Sequence, residues 1–197
     1  MRDVPIDASV AVETAHALAD AAREAILPLF RDSALVAEDK SRLKAAAGFD
    51  PVTQADRAAE KAMREVLKAR RPQDGVLGEE FEPWPSRSGL TWVLDPIDGT
   101  RAFMAGTPTW GVLIALSDQT GPIYGLIDQP YIGERFEGGL GRSWFSGPQG
   151  NGTLGTLGNR PLSQSILFTT YPEVGTAREA EAFAAVARDV RLTRYGI

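Results

Sequence analysis

Apolar residues recur every three or four positions from Asp7 to Phe30. Ala11, Ala15, Leu18, Ala22, Ala25 and Leu29 form one stripe, which predicts an amphipathic helix with a single buried face. A second stripe, Ala55, Ala59, Met63, Val66 and Leu67, predicts another helix. Thr53-x-x-Asp56 fits a capping box at its start, which assigns Asp56 to the cap, while Arg70, Arg71 and Pro72 suit its end. Residues 31–48, with Glu38-Asp39-Lys40, are polar and of mixed charge and read as a loop holding short strands at most. From Gly75 onward the period becomes strand-like. Gly75 to Gly78 is a short strand running into Glu79 and Glu80, and strand alternation lets only one of these acids share a face with Asp95. Phe81 to Gly89 is a Pro/Ser-rich loop. Leu90 to Leu94 is an apolar run expected to end at Asp95, because Pro96 lacks an N–H.

Trp110 to Ser117 and Pro122 to Asp128 are further strands, joined by the turn Asp118-Gln119-Thr120-Gly121. Glu134 to Glu137 and Ser143 to Phe145 read as a hairpin around Gly138-Gly139-Leu140-Gly141. Gly147 to Gly158 is glycine-rich without period and reads as a linker. It divides an N-terminal α+β domain, residues 1–146, from residues 147–197. That second stretch reads as strand (Ser165 to Thr170), helix (Thr176 to Asp189) and strand (Val190 to Tyr195), an incomplete α/β domain too small to bury a core by itself.

Composition narrows the chemistry. A chain of 197 residues that is 43% hydrophobic has ample material for a packed core. Its net charge of −5 argues against a nucleic-acid binder. An anionic substrate would then need a local cation. With no cysteine, disulfides, thiolate phosphatase chemistry and Cys-ligated zinc are excluded. No apolar run approaches membrane-spanning length and no secretory leader is evident, so a cytoplasmic protein with no membrane partner is the expectation. His16 is the only histidine. It lies beside the first helix's apolar stripe, and a structural role is expected.

The candidate chemistry lies at Trp92-Val93-Leu94-Asp95-Pro96-Ile97-Asp98-Gly99-Thr100. Two acids follow a buried strand, and Asp98-Gly99-Thr100 reads as a tight turn opening a short helix, with Asp98 or Thr100 available to cap it. Hard cations such as Mg2+ take oxygen ligands and leave positions open for phosphate and water. Helix N-termini offer free N–H groups to phosphate. The plainer alternative is a strand–turn–helix junction with Asp98 as a cap and Asp95 solvated. Asp50, before Pro51 in extended geometry, is free of capping duty. If Asp50, Glu79, Asp95 and Asp98 converge, the four carboxylates cannot all ionise without divalent cations.

Three motifs in order, Asp50-x-Val-Thr-x-x-Asp56, Gly78-Glu79-Glu80 and Trp92 to Thr100, together with the strand that follows, resemble the inositol monophosphatase-like family of Mg2+-dependent, lithium-sensitive phosphatases. The resemblance covers most of the chain. It implies a layered α/β/α/β sugar-phosphatase-like sandwich, α+β in class, with the second domain incomplete. It implies two or three Mg2+ per site: Glu79, Asp95 and the Ile97 carbonyl on one ion, Asp95 and Asp98 on another. Glu79 and Thr100, helped by Asp50, would orient the attacking water, and Asp98, Gly99 and Thr100 would bind the phosphate group. Lys40 lies near the position of a mobile-loop lysine. A homodimer acting on a small phosphomonoester is implied. Phe49 to Thr53, Asp98 to Phe103, Gly106 to Gly111, Asp128 to Gly138 and Thr193 to Gly196 look like the histidinol-phosphate phosphatases of this family, so L-histidinol phosphate is the expected substrate. The family's second domain supplies another metal-ligand Asp that this chain ends before.

Other readings stay open: an inositol monophosphatase or related sugar or alcohol phosphatase, and a truncated, catalytically impaired metal-binding relative. An aspartyl-phosphate phosphatase is disfavoured, because that chemistry spaces its acids D-x-D and here they are D-x-x-D.

Overall fold

The computed structural model describes residues 6–32, 37–39, 51–171 and 175–196, and for 37–39 and 51–53 the backbone alone. Asp50 and Lys40 lie outside the described residues. The chain divides into two compact units, Met1–Leu154 and Gly155–Ile197.

In the first unit, helix α1 (Ala8–Ile26) starts at Asp7, whose side chain accepts from the Ser9 N–H, and passes into a 3-10 turn over Leu27–Leu29. Its buried residues include Ala11, Ala15, Leu18 and Ala22 from the expected stripe, with Ala25 and Leu29 at the edge of the core. Short strands β1 (Ala37–Asp39) and β2 (Pro51–Thr53) pair antiparallel, and helix α2 (Gln54–Arg70) follows, with Ala55, Ala59, Met63 and Leu67 buried. The small residues on the facing stripes let α1 and α2 pack against each other, α1 also meeting β5 and α2 meeting β4 of the large sheet.

That sheet has seven strands in sequence order: β3 (Gly75–Gly78), β4 (Thr91–Asp98), β5 (Gly111–Asp118), β6 (Gly121–Gln129), β7 (Glu134–Gly139), β8 (Arg142–Gly147) and β9 (Gly150–Thr153). β3 and β4 are parallel; every later neighbour is antiparallel. Alternation sends Trp92, Leu94, Ile114, Leu116, Tyr124 and Leu126 into the core. Each such side chain contributes about 1.5–3 kcal/mol on burial. Trp92 is fully buried and donates its indole N–H to Asp74 at 3.0 Å, and Asp74 is also held by Arg71 and Ser88. The α+β layering expected of the chain is what the first unit shows, two helices against a mostly antiparallel sheet.

Two elements differ from the sequence reading. β4 does not stop at Asp95 but runs through Pro96 to Asp98, with a register shift between Asp95, opposite Leu113, and Asp98, opposite Gly111. The strand thus places one residue more than its partner in this interval, a bulge in which a residue without an N–H costs no ladder bond. The glycine-rich run after Ser146 is not all linker: Gly147 ends β8, and β9 pairs with it, Gly147 opposite Gly150. Backbone ladder bonds need no side-chain pattern, so a run without apolar alternation still forms a strand. The β7–β8 turn is made by Leu140 (φ 50°) and Gly141 (φ 78°), both left-handed, as a two-residue hairpin requires.

In the second unit, β10 (Ile166–Thr169) and β11 (Leu192–Tyr195) pair in parallel around helix α4 (Ala177–Ala187). Thr176 and Glu179 form a reciprocal capping box at its start.

Candidate functional site

Strand parity decides the first question. In the parallel register Leu77 stands opposite Val93 and Gly78 opposite Leu94. Continuing by one residue sets Glu79 beside Asp95, on the sheet face opposite the helices. Glu79 is exposed, and its charge acts on Asp95. The Glu80 N–H turns the other way and donates to Glu60 at 2.7 Å.

Asp95 is half-buried, and its Oδ1 is fully buried with no hydrogen-bond partner among the described residues. It shares the lining of an open groove of about 540 Å3 with apolar residues including Val93, Leu113, Ala115, Ile127 and Phe136. Burial against that wall, then the charges of Glu79, Asp98 and Asp56, push its carboxyl up to about 7; only the Ile97 N–H acts in the opposite sense. Asp95 is therefore not the solvated side chain of a plain junction. It is the centre of an acidic group whose neighbouring carboxylates disfavour its ionisation. Asp98 is exposed at the end of the bulged strand.

The turn after it is shaped by Gly99. This residue has φ 84°, and a Cβ there would lie 2.9 Å from the Thr109 carbonyl oxygen. It is the N-cap of helix α3 (Thr100–Met104), with no side-chain cap. The N-cap position falls on Gly99, not on Asp98 or Thr100 as the sequence reading had it, and a glycine has no side chain to cap with. Instead the Thr100 hydroxyl donates back to the Ile97 carbonyl at 3.0 Å, which leaves the hydroxyl its acceptor capacity. Phe103 anchors the helix, its ring 5.0 Å from Trp110 and 5.2 Å from Phe30. Arg31 ties down the loop beyond, donating to the Gly106 carbonyl at 3.0 Å and the Tyr131 hydroxyl at 2.6 Å.

The structure thus brings Glu79, Asp95, Ile97, Asp98, Gly99 and Thr100 to one end of β3 and β4. It does not draw the acids into a finished cage: among the described residues no three His, Cys, Asp or Glu are grouped so as to hold a metal ion. Carboxylates in a partly desolvated site repel one another. Even so, a buried carboxylate oxygen without a donor and three neighbouring negative charges are the donor set a hard divalent cation suits, and the residues fit such an ion.

Sequence reasoning missed three participants. Asp56, assigned to a cap, is buried in the first turn of α2 and close enough to Asp95 to raise its pKa. Glu60 and Arg64 are also buried, bonded at 2.8 Å, and both reach the backbone after Glu79. Their only signal was an i, i+4 charge pair, which on most helices marks a solvated face.

A sequence profile of the inositol monophosphatase family matches residues 7–196. The chain is 37% identical over 200 residues to the bifunctional phosphatase IMPL2, chloroplastic, of Arabidopsis thaliana, in an alignment covering all of this chain and 54% of that protein. It is 45% identical over 95 residues to the histidinol-phosphatase of Chlorobaculum parvum, covering 48% of this chain and 37% of that one. Among solved structures, the inositol monophosphatase from Zymomonas mobilis superposes with a TM-score of 0.78 at 35% identity, over 97% of this chain and 70% of that chain. The chain spans about half or less of the length of the two relatives compared by sequence.

Proposed function

The chain belongs to the inositol monophosphatase family, and on that premise we propose that it carries the metal-binding part of a phosphomonoesterase acting on L-histidinol phosphate. The observation that supports the chemistry is the orphaned, buried Oδ1 of Asp95 amid the charges of Glu79, Asp98 and Asp56. Bound there, Mg2+ would make water nucleophilic near neutral pH and stabilise charge on the leaving oxygen. In this reading Glu79, Asp95, Asp98 and the Ile97 carbonyl would be the ligands. Asp95 would hold the cation as a carboxylate, the form that a divalent charge beside it favours. The Thr100 hydroxyl and Glu79, helped by Asp50, would accept hydrogen bonds from the attacking water and so orient it. The N–H groups of Gly99 and Thr100, at the start of α3 where the helix offers no acceptor, hold phosphate oxygens. We also propose a homodimer in the cytoplasm; among the described residues no helix is long and apolar enough to cross a membrane.

The choice of histidinol over inositol rests on the Arg101 to Gly111 and Asp128 to Gly138 segments and on the name of the Chlorobaculum relative. Reaction at phosphorus is the same for both substrates, so only leaving-group contacts discriminate, and unpaired buried polar groups make such discrimination large. The test is phosphate release by the full-length protein from L-histidinol phosphate and myo-inositol 1-phosphate, with Mg2+. The expected result is a higher kcat/KM for the first. Equal or inverted values would leave an inositol or general sugar phosphatase. No release from either would favour the catalytically impaired metal-binding relative.

A further inference from the structure

We propose that Glu60 and Arg64 are positioning residues that hold Glu79 in place for metal binding, an inference that rests on the metal site proposed above. Glu79 follows the last residue of β3, is exposed, and has no later strand residues of its own to fix it. The two residues after it are held from the other side of the chain. Glu60, fully buried on α2, accepts the Glu80 N–H through Oε2 at 2.7 Å. Its Oε1 accepts from Arg64 Nε at 2.8 Å, and Arg64 Nη2 donates to the Phe81 carbonyl at 3.1 Å. One ion pair on one helix therefore binds the backbone of the two residues that follow Glu79.

The bracket is built closely. A Cβ at Gly78 would run into the Glu60 carboxylate, so only glycine lets that group pass under the strand end. The Arg64 guanidinium lies 5.7 Å from the Phe81 ring centroid and 5.0 Å from that of Trp84, which cover it. A charge pair this buried gives little net stability over an apolar pair of similar volume. Two ionic groups in the interior contribute here instead by fixing where the Glu79 main chain runs. Groups that orient a ligand without touching the metal typically govern about 10–100-fold in metal affinity.

The test uses the full-length protein and Mn2+, a cation that also prefers oxygen ligands, titrated by the loss of its free-ion electron paramagnetic resonance signal. The double variant Glu60→Leu/Arg64→Met removes both ties while keeping the volume apolar. It is expected to weaken Mn2+ binding by about tenfold or more while keeping a cooperative melting transition, lowered because the Glu80 N–H and the Phe81 carbonyl lose their partners. Met63→Ala, on the core face of the same helix, is expected to lower the melting temperature and leave Mn2+ affinity unchanged. Should the double variant not fold, Arg64→Lys serves: it keeps the charge beside Glu60, loses the planar fork that also reaches Phe81, and is expected to weaken Mn2+ binding. Affinity within about twofold of the parent in whichever of these variants folds would overturn the positioning role and leave the metal site standing. A parent protein that binds no Mn2+ would overturn the metal site itself.

Discussion

At the scale of single residues, Asp95 and Gly99 carry the argument. Asp95 has its carboxyl raised from 3.8 to about 7 by burial, Glu79, Asp98 and Asp56. In metal-free buffer the native protein therefore holds a proton more tightly than the unfolded chain between these values. Stability through this group is greatest below pH 3.8 and is lost as pH rises toward 7. Asp95→Asn should remove that loss, raising the metal-free melting temperature at pH 8 relative to the parent, and should abolish Mg2+-dependent phosphate release. A variant that melts no higher at pH 8, or that still turns over, would contradict the assignment. At Gly99 the left-handed φ and the nearby Thr109 carbonyl both forbid a side chain. Gly99→Ala should cost about 1–3 kcal/mol in denaturant unfolding and impair phosphate binding, read as a raised KM.

At the scale of elements, α1 is clasped to β6 and β7 by buried ions rather than by apolar contact alone. Asp128, fully buried, accepts from Arg23 at 2.7 and 3.2 Å and from Arg135 at 2.9 Å. Arg135 also reaches Asp20 at 2.7 Å and His16 Nδ1 at 3.1 Å. Arginine can only donate, so His16 Nδ1 accepts and Nε2 carries the proton toward Glu137, 3.3 Å away. This gives the histidine the structural role expected of it, on the sheet face away from Asp95. Asp128→Ala leaves Arg135 buried without its main partner and should destabilise by about 3–5 kcal/mol in denaturant unfolding. His16→Ala should leave turnover within a few-fold; a large loss with folding intact would overturn a mechanism based on metal alone. Burial pushes the Glu137 carboxyl up, but hydrogen bonds from Tyr124, Arg142 and His16 outweigh it and hold it below 4.5. Its stabilising contribution is full above 4.5 and is lost as pH falls through the lower folded value, so Glu137→Gln should flatten the acid limb of the pH–stability curve.

At the scale of the whole molecule, family membership extends from residue 7 to 196 and therefore takes in both compact units. Activity, substrate and assembly are properties of the full-length protein, and the chain aligns with 54% and 37% of the two relatives compared by sequence. A homodimer is the proposal at this scale. Light scattering on the full-length protein should return twice the mass of one chain, and the mass of a single chain would overturn it.

Local pattern determined much of this protein. Stripes at helical spacing identified the faces of α1 and α2 that are buried, because a helix can hide only one side. Alternation along Gly75 to Glu80 required one acid to face Asp95, and the motifs at Gly78 to Glu80 and Trp92 to Thr100 announced an acidic strand end. What no local pattern could decide was which distant groups meet. Arg23 and Asp128 are 105 residues apart, and Glu60 reaches Glu80 only because α2 lies beneath the end of β3. Strand β9 escaped notice because backbone pairing leaves no mark on the order of glycines. The pKa of Asp95 is likewise a tertiary fact. A carboxylate reads the same in any sequence, and its affinity for a proton or a cation is set by the wall and the charges that folding brings around it.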